Sequence, residues 1–253
     1  MKFALVNEQR REAQPNLSGA CQACSHPMVA KCGETRVWHW AHKGRHPCDP
    51  WWENETEWHR AWKEQFPAAW QEFPHRADNG EKHIADVKTD RGWVLEFQRS
   101  YIKPEERRSR EAFYPKLLCV VDGARRIRDR QQFVNAWEGA VPVGANSHVR
   151  RVFSDDCALL RDWGGGPAPV FFDFGREEAM LWWLLHRSLL APISRTDFIN
   201  SHRSGETDIT RQFDGLMNAR DKLVAAHELQ LRATPLQGFQ QPFPRRARFR
   251  RRS

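Results

Sequence analysis

Residues 83–100, HIADVKTDRGWVLEFQRS, constrain this chain more than any other stretch, because two runs of strand formers flank a turn that ends in glycine. With Asp90, Arg91 and Gly92 as the loop, Thr89 pairs with Trp93, and counting outward sets Asp86 against Glu96 on one face. Gln98 lies two residues further and shares that face, while Leu95 and Phe97 turn the other way into a core. Directly opposed side chains have Cβ atoms roughly 4.5–5.5 Å apart, and like charges there destabilise a sheet. A divalent cation such as magnesium, which takes oxygen ligands, turns that liability into a site. The alternative is a pair of solvated acids on an exposed sheet face.

The flanks extend the pattern. Residues 53–63 contain good helix formers, and Glu55, His59 and Lys63 recur every fourth residue, which predicts one helical stripe. Trp58, Trp62 and Phe66 form a neighbouring stripe that reads as core. Downstream, Pro104 with Glu105 and Glu106 predicts a helix start, ending near Pro115. The apolar run 117–121 before Asp122 and Gly123 predicts a buried strand. With a short strand around 69–73, the order is helix, strand, hairpin, helix, strand, an α/β core.

Glu55-Thr56 with His59 and Lys63, then His83-Ile84-Ala85-Asp86-Val87, then Glu96-Phe97-Gln98-Arg99-Ser100 together resemble the competence protein CoiA-like family, of the PD-(D/E)XK nuclease superfamily. The three blocks span roughly the first half of the chain. The resemblance implies a restriction-endonuclease-like mixed sheet with helices on both faces. It also implies Asp86 and Glu96 as magnesium or manganese ligands, and Glu55 as a helix-borne acid reaching the same site, with Glu53 or Glu57 in its place if the register differs. Gln98 stands where the superfamily usually has lysine; an amide is neither a general base nor a cation, so it can only orient water or phosphate. His59, Lys63, Arg99, Arg107 and Arg108 are candidate DNA contacts, set against the reading that they are ordinary helix-surface and solvated charges.

A second constellation, Cys21-Gln22-Ala23-Cys24 followed by His39-Trp40-Ala41-His42, supplies thiolate and imidazole donors for a zinc site. The histidine spacing is tighter than in the usual finger, and Cys32, His46 and Cys48 crowd the same window as substitutes. The CoiA-like family has a comparable cysteine pair and His-aromatic-Ala-His motif. Four protein ligands make a structural rather than a catalytic zinc, and the competing reading is reduced cysteines in a small core.

The formal charge of +8 over 253 residues favours an anionic partner. Six cysteines, four of them before residue 50, no apolar leader and no apolar run of membrane length predict a cytoplasmic protein with no membrane association. Seven of the 12 tryptophans, Trp38, Trp40, Trp51, Trp52, Trp58, Trp62 and Trp70, gather near the junction of the cysteine region and the first helix, where packing is the simpler reading than base stacking. Residues 162–167 predict a loop with no nucleotide-cradle context, 170–174 and 181–185 predict buried strands, and 207–232 one long helix or two.

The organisation predicted is a zinc-ribbon or finger-like module over 1–50, a nuclease-like core over 51–138, an appended α/β domain of unassigned role over 139–243, and an arginine-rich disordered tail over 244–253. The function predicted is a divalent-metal-dependent deoxyribonuclease, an endonuclease acting in DNA uptake, transformation, recombination or defence. The alternatives are a DNA-binding accessory protein that keeps the fold without turnover, and a nuclease acting on RNA.

Overall fold

Gly92 adopts φ +81°, the left-handed conformation that closes a three-residue hairpin loop without a Cβ penalty. Around it, Thr89 N–H donates to the Trp93 carbonyl at 2.9 Å, and Val87 pairs with Leu95 and Lys88 with Val94. That is the register read from the sequence. The computed structural model describes residues 1–44, 48–51, 55–77, 80–144, 146–203 and 212–233. Of the sequence features above, His46, Trp52, Glu53, residues 207–211 of the predicted 207–232 helix and the 244–253 tail lie outside those residues.

Two sheets build the molecule. The first is antiparallel, with β1 (Phe3–Val6), β2 (Gln9–Glu12), β3 (Ser18–Ala20), β4 (Pro27–Lys31) and β5 (His39–His42) in the order β2-β1-β3-β4-β5. It closes a small core of Ala4, Cys21, Met28 and Trp40.

The second sheet begins after α1 (Glu57–Lys63) and a 3₁₀ turn at Ala68–Trp70. Its first strands are β6 (Gln71–Arg76), β7 (Lys82–Lys88) and β8 (Val94–Gln98), and α2 (Pro104–Phe113) then leads to β9 (Leu117–Asp122). Pro104 occupies the first helical turn as expected, and every residue of β9 is buried, as a central parallel strand requires. The chain continues through α3 (Ile127–Glu138), β10 (Val141–Val143), β11 (Asn146–Arg151), α4 (Ala158–Trp163) and β12 (Val170–Asp173). Then come β13 (Met180–His186), β14 (Leu189–Ser194), α5 (Arg195–His202) and α6 (Phe213–Ala233).

The strand order is β10-β11-β14-β13-β12-β9-β8-β7-β6, with β8, β9 and β12 parallel. Residues 139–233 are therefore no appended domain. Among the described residues they supply five of the nine strands of one sheet, and β12 completes the hydrogen bonding of β9, which would otherwise be an edge apolar at every position but Asp122.

Helices cover both faces. Trp62 of α1, Phe198 of α5 and Phe213 of α6 pack with Leu95, Phe97, Leu118, Val120 and Phe171 on one side. Phe133 of α3 and Leu160 and Trp163 of α4 pack with Val94, Leu117, Val121 and Phe172 on the other. No helix among the described residues is long and apolar enough to cross a membrane.

Candidate metal centre and acidic cavity

The hairpin register, carried one pair beyond Val87 and Leu95, sets Asp86 against Glu96. Asp86 Oδ2 accepts from the Phe97 N–H at 2.9 Å, which fixes its carboxylate beside the partner strand. Both acids, with Gln98, line a cavity of about 380 Å³ that also receives Glu55, Lys63 and Glu72 from the sheet domain and Met28, Trp40, His42 and Cys48 from the first module. Burial raises the Asp86 pKa, offset in part by Lys63 and His59. Burial and then the facing Asp86 carboxylate lift Glu96 well above the usual range, and Arg110 only partly relieves it. Asp49, Glu55, Glu72, Asp86 and Glu96 thus face Lys63, Arg110 and the amino terminus of Met1, which lies 4.0 Å from Glu55, so acids outnumber cations in this cavity of a basic protein.

Glu55 does not sit on a helix. Thr56 is the N-cap of α1, its hydroxyl accepting from the His59 N–H at 3.3 Å, so Glu55 precedes the first turn. Its carboxylate still reaches the cavity, held by Lys63 Nζ at 2.7 Å and Arg60 Nε at 3.1 Å. Burial alone would raise its pKa, but Lys63 holds it below the usual carboxylate range. His59 and Lys63 are 4% and 1% exposed, which rules out a solvated helix stripe. Arg107 is buried as well, Arg108 is exposed and pairs with Glu105, and Arg99 pairs with Asp122 at 3.5 Å.

Glu72 has no counterpart in the sequence reading. It bonds Lys63 Nζ at 2.8 Å and accepts the backbone N–H groups of Lys2 at 2.5 Å and Phe3 at 2.8 Å, joining β1 to the second sheet. Burial would raise its pKa, but Lys63 and the amino terminus lower it to about 2. Its φ of +47° is strained for a residue with a side chain, and only tertiary contacts make that conformation worthwhile. Arg110, which the sequence places with Arg107 and Arg108 on a helix that could face the DNA backbone or solvent, is instead buried. It donates to Glu106 at 2.6 Å, Gln98 Oε1 at 3.1 Å and Glu96 Oε2 at 3.4 Å.

The cysteine site differs from expectation by one ligand. Cys21, Cys24, His42 and Cys48 bring their donor atoms within 4.8 Å of one another. His39 is excluded because it and His42 lie three apart on strand β5, where odd spacing sends side chains to opposite faces. Its Nδ1 instead donates to the Val37 carbonyl at 2.8 Å. Cys48 takes the place, 3.7 Å from Cys21 Sγ, and His42 Nε2 is 3.4 Å from Cys24 Sγ. A tetrahedron with metal–sulfur bonds of about 2.3 Å has edges of about 3.8 Å, so these separations fit. The hydrogen bond from Cys48 lowers the Cys21 pKa, whereas the Cys48 and Cys24 thiols are raised. One thiolate forms readily and further ones need a cation, so the cluster could hold a metal ion such as zinc.

Cys48 also ties this centre to the cavity. Asp49 accepts from the Ile84 N–H at 2.8 Å and lies 2.9 Å from His83 Nδ1, while Trp51 stacks on the His83 ring at 3.2 Å. The Trp51 carbonyl accepts from Arg110 at 3.0 Å. No protein-family model, no curated protein and no solved structure matches the chain.

Proposed function

We propose that this chain is a divalent-metal-dependent nuclease hydrolysing DNA phosphodiester bonds, of the CoiA-like, PD-(D/E)XK type, with Asp86 and Glu96 as the ligands of magnesium or manganese. The observation that carries this reading is the opposed, half-buried acidic pair in a cavity whose acids outnumber its cations. A nine-stranded mixed sheet with helices on both faces supports it.

Hard oxygen donors fit such a cation, which would lower the pKa of a bound water and neutralise charge on the phosphate in the transition state. The chain's own residues do the rest. Asp86, anchored on the Phe97 N–H, holds one donor oxygen in place, and Glu96 presents the second. Lys63 carries the ammonium that Gln98 lacks, fixed between Glu55 and Glu72 and protonated throughout the physiological range, since those acids raise its pKa despite burial. Gln98, bonded to Arg110 and to the Ser100 carbonyl at 3.2 Å, orients water or a phosphate oxygen without exchanging a proton. The Cys21, Cys24, His42 and Cys48 set would bind zinc structurally, since four protein ligands leave no open position.

Incubation with plasmid and with short single strands in manganese tests this reading. Wild type should cleave, and Asp86→Ala should lose about a thousandfold in rate while still binding DNA. Cleavage retained by Asp86→Ala would overturn the assignment. Arg110 beside Glu96 favours a second reading, a DNA-binding accessory protein whose acids are already partly neutralised. It predicts binding without cleavage by the wild type, and matched RNA strands in the same assay separate the two substrates.

A further inference from the structure

A second cavity, of about 450 Å³, lies along the same helix α2. Five arginines line it: Arg107 and Arg108 on α2, Arg125 and Arg126 before α3, and Arg161 on α4. The backbone of residues 164–166 forms part of the same wall. Three acids also line it, and each is engaged: Glu111 by Arg107 at 3.0 Å, Asp162 by Arg126 at 3.2 Å, and Asp122 by Arg99 at 3.5 Å. Arg161 donates to the Asp155 carbonyl, and neither it nor Arg125 has a carboxylate partner among the described residues.

Arg107 is 8% exposed. Its Nη1 donates to the Trp163 carbonyl at 2.9 Å and its guanidinium stacks over the Trp163 ring, but its Nη2 reaches no acceptor. A buried cationic donor left unpaired is destabilising unless something else accepts from it. Gly166 belongs to the same device, because a Cβ there would collide with the Arg107 guanidinium. The cavity also meets the first turn of α2 and Arg126, the N-cap residue of α3, beyond the C-terminal ends of the parallel strands β8 and β9. Open α/β sheets bind ligands in that position, and helix N-termini there favour anions.

We infer that this cavity binds a phosphate group of a nucleic-acid strand. Planar guanidinium forks match phosphate oxygens, and a glycine backbone lets them approach closely. Tyr101, 62% exposed on the cavity wall, offers a face on which a base can stack, which favours a strand over inorganic phosphate. Arg107 and Arg110 are one turn apart on α2, so a strand held here would run on toward the acidic cavity. That last relation rests on the nuclease reading; the phosphate site does not.

The test is equilibrium binding of a fluorescein-labelled single-stranded oligonucleotide to the full chain, without added magnesium or manganese so that hydrolysis plays no part. Arg125→Ala should weaken binding about tenfold and lower the salt slope by about one, while Arg128→Ala, which removes the same charge from outside the cavity, should change it less than about twofold. Gly166→Ala, which displaces Arg107, should act like Arg125→Ala, with circular dichroism reporting that the fold is kept. If adenosine monophosphate competes with the strand in wild type but not in Arg125→Ala, a terminal nucleotide occupies the cavity. If adenosine monophosphate binds in an Arg125-dependent way and the strand does not bind, the phosphate chemistry stands but its source is a free nucleotide. Equal effects of Arg125→Ala and Arg128→Ala, or no Arg125-dependent binding of either probe, would overturn the site whether or not the protein cleaves DNA.

Discussion

Burial and the facing Asp86 carboxylate both raise the Glu96 pKa, so the folded, metal-free protein resists the second negative charge. A carboxyl whose folded pKa exceeds its unfolded value contributes stability that is full below about 4.5 and is lost as pH rises through the folded value. Glu96→Gln should therefore raise the melting temperature of the metal-free protein by a few degrees at pH 8, and less at pH 5. It should also erase the stabilisation by manganese that the proposed site predicts for the wild type; an unchanged manganese response would remove Glu96 from the ligand set. Glu72 has the opposite sign. With a folded pKa of about 2, its contribution is present above the ordinary carboxylate range and lost as pH falls toward 2. Glu72→Gln leaves Lys63 with one carboxylate fewer in a buried setting and should cost about 3–5 kcal/mol in urea denaturation. The opposed pair was legible because a period of two and one glycine fix the register. Glu72 was not, because its positive φ and its hold on β1 exist only once two sheets meet.

At the scale of elements, strand β5 decides the metal ligands. His42 faces Cys21, Cys24 and Cys48, and alternation sends His39 away. Purified Cys48→Ser should lose stoichiometric zinc, whereas His39→Asn should keep it, as metal analysis by mass spectrometry would report. The pair CxxC and its partner His42 could be read from spacing, while Cys48 was one of several substitutes that only the fold separates. The start of α1 shows a similar limit. Helix formers extend upstream to residue 53, but Thr56 caps the helix and leaves Glu55 outside it. The side chain reaches the cavity all the same, since Lys63 and Arg60 draw it in rather than helical periodicity.

The whole molecule is less divisible than its composition suggests. The expected boundary near residue 138 cuts between strands of one sheet, and β9 would become a buried edge with five apolar residues without β12. A fragment ending at residue 138 should be insoluble or lack cooperative unfolding, and a soluble fragment with a sharp thermal transition would contradict the single-sheet account. Parallel pairing of β12 with β9 is invisible to local patterning, because the two runs, 117–121 and 170–174, lie some fifty positions apart. The short path from Cys48 through Asp49 to Trp51 has a wider meaning. Cys48, which could hold a metal ion, and the wall of the acidic chamber are carried by neighbouring residues, so an ion held there would brace the very plank on which Arg110 rests. The supply of such a metal would then bear on whether the chamber keeps its shape, even though that ion would not touch a substrate.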